Sequence, residues 1–169
     1  SEKIWQVLRD GIPSEAVPIY ATGSTASGHP IACAAANENI DVMIDEGLIE
    51  NSAHVGGFFK QRLAERIGDH PLVGEARGVG LIGALEIVAD KSTKTPFAEE
   101  HLIGERVVRA AQKNGLILRP IGESVIFAPP FIISEAEIDD MFARTEKVLD
   151  EIEAHVQKNG LRAAAATAE

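Results

Sequence analysis

The sequence predicts an α/β (α+β) fold, in which a small, mainly antiparallel sheet carries helices on one face and follows a helical arm. Two observations support this prediction. In the first half of the chain, apolar residues recur at spacings of three and four, which is typical of amphipathic helices. The second half alternates short β-rich runs with amphipathic segments in the order strand, strand, helix, strand, strand, helix, which is typical of a two-layer fold.

The first half predicts three helices, which we place over residues 2–9, 30–46 and 49–67, with a loop over residues 12–28. Pro30 suits the first position of the second helix because its missing N–H has no helical partner there. Gly47 and Gly68 follow the last apolar residues of the second and third helices and end them.

The second half predicts four strands, a further short extended segment and two helices: residues 74–80, 81–88, 116–120 and 124–128, then 131–133, with helices at 99–114 and from 134 to Asn159. Glycines in the first two strands indicate a bulge or a close backbone approach. Ser134 and Glu137 form a predicted capping box at the start of the last helix.

Composition narrows the class of partner. The 169 residues carry a net charge of −10, which argues against a nucleic-acid backbone or an anionic membrane as the main partner. The single cysteine, Cys33, excludes an internal disulfide framework and a cysteine metal cluster, and it fits a cytoplasmic location. We find no membrane-spanning segment, secretory signal, zinc spacing, phosphate loop or dinucleotide fingerprint, and we predict no metal site.

A run of glycines and hydroxyl residues leads directly into the second helix. The hydroxyl groups of Ser24 and Thr25, and N–H groups at the helix start, are suited to holding an anion. Alternatively, Thr25 bonds only to its own turn. His29, which Pro30 restricts to an extended conformation, is either an acid–base group or a residue that fixes the turn.

Two arginines lie in predicted strands. Arg119 stands between apolar residues and Pro120, and it either binds a carboxylate with its two-pronged guanidinium or faces solvent on an edge strand. Arg77 either binds the carboxylate of a ligand or forms a structural salt bridge. The acidic residues of the last helix are interpreted as a solvated face: Asp139, Asp140, Glu146, Asp150, Glu151 and Glu153.

The order of these features resembles that of the class III (omega) aminotransferases, which are fold-type I enzymes that use pyridoxal 5′-phosphate. Thr25-Ala-Ser-Gly-His-Pro30 with its alanine-rich helix resembles the family's T-Y-S-G-H-P stretch. Arg77-Gly-Val-Gly-Leu-Ile-Gly-Ala-Leu-Glu86 is similar to the first strand of its small domain. Gly115-Leu-Ile-Leu-Arg119-Pro, Val125-Ile-Phe-Ala-Pro-Pro130 and the helix after Ser134 are similar to its closing elements, so the likeness runs in order from Ser1 to about Lys158.

The resemblance implies roles for particular residues. Thr25 matches the threonine that reaches the cofactor phosphate of the neighbouring subunit in a dimer, with Ser24 as a further candidate there. Arg119 matches the arginine that, in the amine–pyruvate branch, binds the carboxylate of the amino acceptor. Two departures concern Thr22-Gly23, where the family often has His-Gly, and Ala26, where it often has Tyr. Alanine occurs at the latter position in some amine–pyruvate members, which favours that branch.

The resemblance also implies that the lysine forming the Schiff base lies upstream of the region matching Ser1, so no catalytic residue is expected in this chain. We therefore expect the C-terminal part of such an enzyme, inactive by itself and without bound cofactor, from a parent that transfers an amino group from an omega-amino acid or amine to pyruvate or another 2-oxo acid. The expected organisation is a remnant of the large domain over residues 1–28, a connecting arm over 29–69, the small domain over 70–160 and a disordered tail over 161–169.

Two alternatives remain open at this point. The chain is a stand-alone α/β interaction module, or it comes from an aminomutase or decarboxylase of the same fold. Apolar helix faces predict self-association as a homodimer or higher oligomer.

Overall fold

The computed structural model of the chain describes residues 2–11 and 25–162, without the side chain of Leu8, and the chain divides into two units, Ser1–Val42 and Met43–Glu169. The division at Val42 falls inside the predicted arm, and the four-part domain organisation stays a prediction. None of the helices in the described ranges is long and apolar enough to cross a membrane.

The first unit contains helix α1, Glu2–Asp10, a turn over residues 25–28 and most of helix α2, Pro30–Asp45, whose last three residues belong to the second unit. Both helices were predicted, and α2 begins at Pro30 as expected. No residue of α2 is buried, and its apolar side chains such as Ile31 are exposed. The described part of this unit is therefore helical and has no core of its own.

After the end of α2, the second unit continues with a helix that widens into a π-helical turn at its end. Gly47, with φ of 62°, separates α2 from α3, which spans Leu48–Arg62. Gly47 was predicted to end α2. A π-helical turn, Leu63–Ile67, then carries the chain to Gly68. Arg66 in this turn donates two hydrogen bonds to the Glu146 carboxylate, at 2.8 and 2.6 Å, and so ties the turn to the last helix.

A four-stranded antiparallel sheet forms the centre of the second unit, in the order β1-β2-β4-β3. Its strands are β1, Val73–Val79, β2, Ile82–Ile87, β3, Arg119–Ile121, and β4, Ser124–Phe127. The β1–β2 register shifts between Val73 and Glu75, so the bulge predicted from the glycines is present at Gly74. A Cβ on Gly83 would lie 2.7 Å from the Phe59 ring, which is the predicted close approach.

Two helices complete this unit: α4, Ile103–Lys113, and α5, Glu135–Asn159. The predicted capping box is present, because the Ser134 hydroxyl accepts from the Glu137 N–H at 3.3 Å while the Glu137 carboxylate accepts from the Ser134 N–H at 2.8 Å. Gly160, with φ of 63°, ends the helix as expected.

The core lies between the helices and one face of the sheet. Leu85, Ile87, Val125 and Phe127 alternate along β2 and β4 and are all buried, as the two-residue period of a strand requires. At the centre, the ring centroids of Phe59, Phe127 and Phe142 lie 5.2 to 6.3 Å apart. The helices of the second unit thus cover one face of its sheet, as predicted.

Three predicted boundaries were wrong. The helix expected from Glu99 begins at Ile103, because Leu102 adopts a left-handed conformation with φ of 49° after the 3-10 turn Glu99–His101. Residues 116–118 precede the strand and do not belong to it. Residues 131–133 are not a strand: they form a turn whose Phe131 and Ile133 carbonyl groups accept from the Asn51 side-chain amide.

Candidate functional site

The turn before α2 places Thr25 on the surface. Ser24 lies outside the described residues, as do Thr22 and Gly23, whereas Thr25 is exposed at the start of the turn. A Cβ on Gly28, which has φ of 74°, would meet no atom within 4 Å, so the backbone here is open to approach. The Thr25 hydroxyl is therefore accessible to a ligand.

His29 fixes this turn. Its Nδ1 accepts from the Ala32 N–H at 3.4 Å, its carbonyl accepts from the Cys33 N–H at 2.9 Å, and its own N–H donates to the Ala26 carbonyl at 3.2 Å. These contacts favour the interpretation of His29 as a residue that fixes the turn over that of an acid–base group, because its Nδ1 accepts a hydrogen bond from the first turn of α2.

The second candidate region is the face of the sheet opposite the helices, which we call the open face. It carries the residues that alternate with those facing the helices: Glu75, Arg77, Val79, Ile82, Ala84, Glu86, Arg119, Ile121, Ser124 and Ile126. Val79, Ile82 and Ile121 are exposed. No described helix of the second unit covers this face.

The strand register brings both predicted arginines to the open face. Arg119 on β3 pairs with Ile126, which pairs with Ala84, which pairs with Arg77 on β1. Directly paired residues of antiparallel strands project to the same side of a sheet. Three strand spacings separate the two arginine backbones, which amounts to roughly 14 Å.

The two guanidinium groups differ in their partners. Arg77 lies 3.2 Å from the Glu86 carboxylate and 3.9 Å from that of Glu75, so the structural salt bridge considered for Arg77 is present. The Ser124 hydroxyl donates to the same Glu86 oxygen at 2.7 Å. Arg119 is exposed on the edge strand and makes no ion pair with any residue in the described ranges. It therefore remains available to a carboxylate from elsewhere.

A cavity of about 550 Å³ lies beside the β3–β4 turn. Glu86, Glu99, Glu105 and Glu123 contribute carboxyl groups to its wall, and Phe97 and Leu102 are among its apolar lining residues. Burial raises the pKa of Glu123, backbone hydrogen bonds from Gly104 and Ile103 oppose the rise, and the charges of Glu86 and Glu105 add to it. The sequence gives no sign of this role for Glu123, because no residue near it shows that its side chain reaches α4.

The acidic residues of α5 are only partly a solvated face. Asp140, Asp150 and Glu151 are exposed, as predicted. Asp139, Glu146 and Glu153 are half-buried and paired with arginines, at 2.9 Å from Arg62, 2.6 Å from Arg66 and 2.5 Å from Arg162 respectively. The correction has a simple cause: helical spacing cannot reveal that arginines of α3, of the π-helical turn and of the segment after α5 pack along this helix.

Neither a metal centre nor a Schiff-base lysine is evident. No group of three or more metal-binding side chains occurs within residues 2–11 and 25–162. Each of the seven lysines is exposed, whereas a Schiff-base lysine depends on burial or a neighbouring charge to lower its pKa.

Comparisons with known proteins identify a family for the chain. The family model described as aminotransferase class-III matches residues 3–149. The chain is 42% identical over 163 residues to an uncharacterized aminotransferase of Sinorhizobium fredii, covering 93% of this chain and 34% of the relative. It is 40% identical over 134 residues to a putrescine–pyruvate aminotransferase of Pseudomonas aeruginosa, covering 79% and 29%.

Solved structures show the same fold. An omega-transferase from Vibrio fluvialis superposes with a TM-score of 0.74 at 45% identity, covering 82% of this chain and 33% of that one. An omega-aminotransferase from Paracoccus denitrificans superposes with the same TM-score at 47% identity, covering 81% and 30%. The chain spans about a third of the length of the relatives that it matches.

Proposed function

Because this chain belongs to the class III aminotransferases, we propose that it is part of an enzyme dependent on pyridoxal 5′-phosphate. The enzyme transfers an amino group from an omega-amino acid or amine to pyruvate or another 2-oxo acid. The names of two relatives, a putrescine–pyruvate aminotransferase and a diaminobutyrate–2-oxoglutarate transaminase, are consistent with diamine-type donors and 2-oxo acid acceptors.

The observation that carries the proposal is the Arg119 guanidinium on the open face. It has no ion-pair partner among the described residues, while Arg77 on the same face is satisfied by Glu86. A guanidinium binds a carboxylate through two parallel N–H donors, which fixes both the position and the plane of the acid. We assign Arg119 to the carboxylate of the 2-oxo acid acceptor.

Thr25 is assigned to the cofactor phosphate of a neighbouring subunit. Its exposed hydroxyl and the uncrowded Gly28 support this role, since a phosphate oxygen accepts from a hydroxyl that can reach it. The assignment makes the enzyme a homodimer or higher oligomer, because each cofactor site then takes a residue from two chains.

Pyridoxal 5′-phosphate, when bound, supplies the electron sink for amino transfer. This chain contributes a phosphate contact and an acceptor clamp, but its exposed lysines do not provide the Schiff-base amine. We therefore propose that residues 1–169 alone do not catalyse transamination and that the reactive lysine belongs to another segment of the protein.

The proposal is tested with the full-length enzyme, which is expressed from a gene that includes the coding sequence upstream of Ser1. We expect cofactor absorbance, and alanine formed from pyruvate with at least one donor from a panel of diamines, omega-amino acids and aryl amines. The 169-residue chain, assayed in parallel, should give neither signal. Absence of amine transfer across the whole panel would overturn the proposed activity. Turnover by the 169-residue chain alone would overturn the proposal that the reactive lysine belongs to another segment of the protein.

A further inference from the structure

The β3–β4 turn packs closely on the first turn of α4. The Gly104 N–H donates to Glu123 Oε2 at 2.7 Å, across nineteen residues of sequence. A Cβ on Gly104 would overlap the Gly122 carbonyl oxygen and would lie 3.1 Å from the Glu123 Cα. The contact therefore depends on two features: the Glu123 side chain provides the acceptor, and Gly104, which has no Cβ, lets the turn approach the helix.

Helix α4 depends on this contact for its cap. The N-cap residue is Leu102, which has no side-chain acceptor to offer and adopts a left-handed conformation with φ of 49°. The N–H groups in the first turn of a helix have no helical partners, and side chains, water or ligands accept from them instead. The Glu123 carboxylate provides this acceptor, and its negative charge suits the positive end of the helix dipole.

Glu123 is also fixed on its other side. Its carbonyl oxygen accepts from the Ile87 N–H, at the end of β2, at 3.1 Å. A single residue therefore joins the central strand β2, the β3–β4 hairpin and α4.

The same hairpin carries Arg119. Strand β3 contains only Arg119, Pro120 and Ile121, and it pairs with β4 alone because it lies at the edge of the sheet. A three-residue edge strand with one neighbour has few contacts that hold its direction. The attachment of Glu123 to α4 supplies a second support, four residues beyond Arg119.

We propose that Glu123 is a positioning residue for Arg119, which holds the hairpin against α4 so that the guanidinium meets the acceptor carboxylate. This inference rests on the proposed function of Arg119. The half-buried state of Glu123 and the raised pKa of its carboxyl group agree with a side chain enclosed between the two elements.

Kinetics in the full-length enzyme provide the first test, with Glu123→Ala, Glu123→Gln and the matched control Glu99→Ala, which removes another carboxylate from the same cavity. We expect Glu123→Ala to raise KM for pyruvate about fivefold with little change in kcat, and to leave an aldehyde acceptor unaffected, since one lost hydrogen bond is worth about 1 kcal/mol, which corresponds to a factor of about five. Glu123→Gln should restore KM, because the amide oxygen still accepts from Gly104. Equal losses with pyruvate and the aldehyde would show a general structural role and overturn the inference.

Amide hydrogen exchange in the 169-residue chain is the second test, and it does not depend on activity. Glu123→Ala should accelerate exchange across Arg119–Phe127 about tenfold, while Glu99→Ala should not. If Glu123→Ala does not fold, Glu123→Asp, whose shorter side chain withdraws from Gly104, takes its place in both assays.

The two tests separate the possible failures. Unchanged exchange in the hairpin would overturn the positioning role, whatever the enzyme does. Faster exchange in a protein that transfers no amino group with any donor would refute the proposed activity, while the link between Glu123 and the hairpin of Arg119 would stand.

Discussion

The Arg77 guanidinium donates to the Glu86 carboxylate at 3.2 Å, across the β1–β2 pair and on the face of the sheet that also carries Arg119. The Ser124 hydroxyl donates to the same carboxylate oxygen at 2.7 Å, so Glu86 accepts hydrogen bonds from both neighbouring strands, β1 and β4. Two arginines therefore share one face, but only Arg77 has its charge partner within the described ranges. This difference allows each to serve as the control for the other.

We expect Arg119→Ala to lower kcat/KM for pyruvate about 100-fold in the full-length enzyme, because two charge-assisted hydrogen bonds worth about 1.5–3 kcal/mol each before compensation are lost. An aldehyde acceptor, which has no carboxylate, should retain its rate within about twofold. Arg77→Ala should change both acceptors alike. Steady-state kinetics with the two acceptors decides the matter, and equal losses in Arg119→Ala would contradict the clamp role.

Thr25 provides a prediction about cofactor affinity. Thr25→Ala should weaken binding of pyridoxal 5′-phosphate to the full-length protein about tenfold or more, because a hydrogen bond to a charged phosphate contributes about 1.5–3 kcal/mol. Thr25→Ser retains the hydroxyl and should stay close to the wild type. Cofactor release, followed by absorbance during dialysis, measures the effect. Identical release from the Ala and Ser variants would show that the hydroxyl does not bind the phosphate.

The sequence predicted the elements of the fold wherever the decisive signal was local. The capping box of Ser134 and Glu137, and the helix ends at Gly47 and Gly160, depend on residues within a few positions of each other. Each of these signals is set by backbone geometry and by the period of the element, which a sequence displays directly.

The remaining features depend on contacts between distant segments. Helix α4 starts at Ile103 because of the conformation of Leu102, and its first turn is capped by Glu123. The local sequence around neither residue predicts this role. The sequence also could not show that Arg77 has a charge partner while Arg119 has none among the described residues, because both lie in similar strand contexts. Strand register, which sets Arg77 beside Glu86, determines that difference.

Two adjacent glycines of α3 provide a matched pair for stability. A Cβ on Gly56 would lie 2.9 Å from the Gly80 Cα, whereas a Cβ on Gly57 would meet nothing within 4 Å. Gly56→Ala should therefore reduce the free energy of unfolding by about 1–3 kcal/mol, since the backbone of the β1–β2 turn must shift. Gly57→Ala should increase it by about 0.5–1 kcal/mol, because alanine favours the helix.

Denaturant unfolding of the 169-residue chain measures both effects. The adjacent positions share one helix, so its intrinsic preference for alanine cancels in the comparison. Similar stabilities of the two variants would contradict the close approach of α3 to the turn at Gly80.

The raised pKa of Glu123 predicts how stability changes with pH. A carboxyl group whose pKa is higher in the folded chain than in the unfolded chain binds its proton more tightly on folding. Its contribution to stability is therefore full below the unfolded pKa and is lost as pH rises through the folded value. Burial is the largest cause of the rise, and Glu86 from β2 and Glu105 from α4 add to it, while the Gly104 and Ile103 N–H groups oppose it.

Glu123→Gln keeps an acceptor oxygen for Gly104 but cannot ionise. We expect this variant to be more stable than the wild type at pH 8, with the difference shrinking as pH falls towards 4, because the wild-type carboxyl group then becomes neutral as well. Thermal unfolding across this range measures the difference, and Glu99→Gln reports the effect of removing an exposed carboxylate from the same cavity. A difference that stays constant with pH, or that grows on acidification, would show that Glu123 is not enclosed between the hairpin and α4.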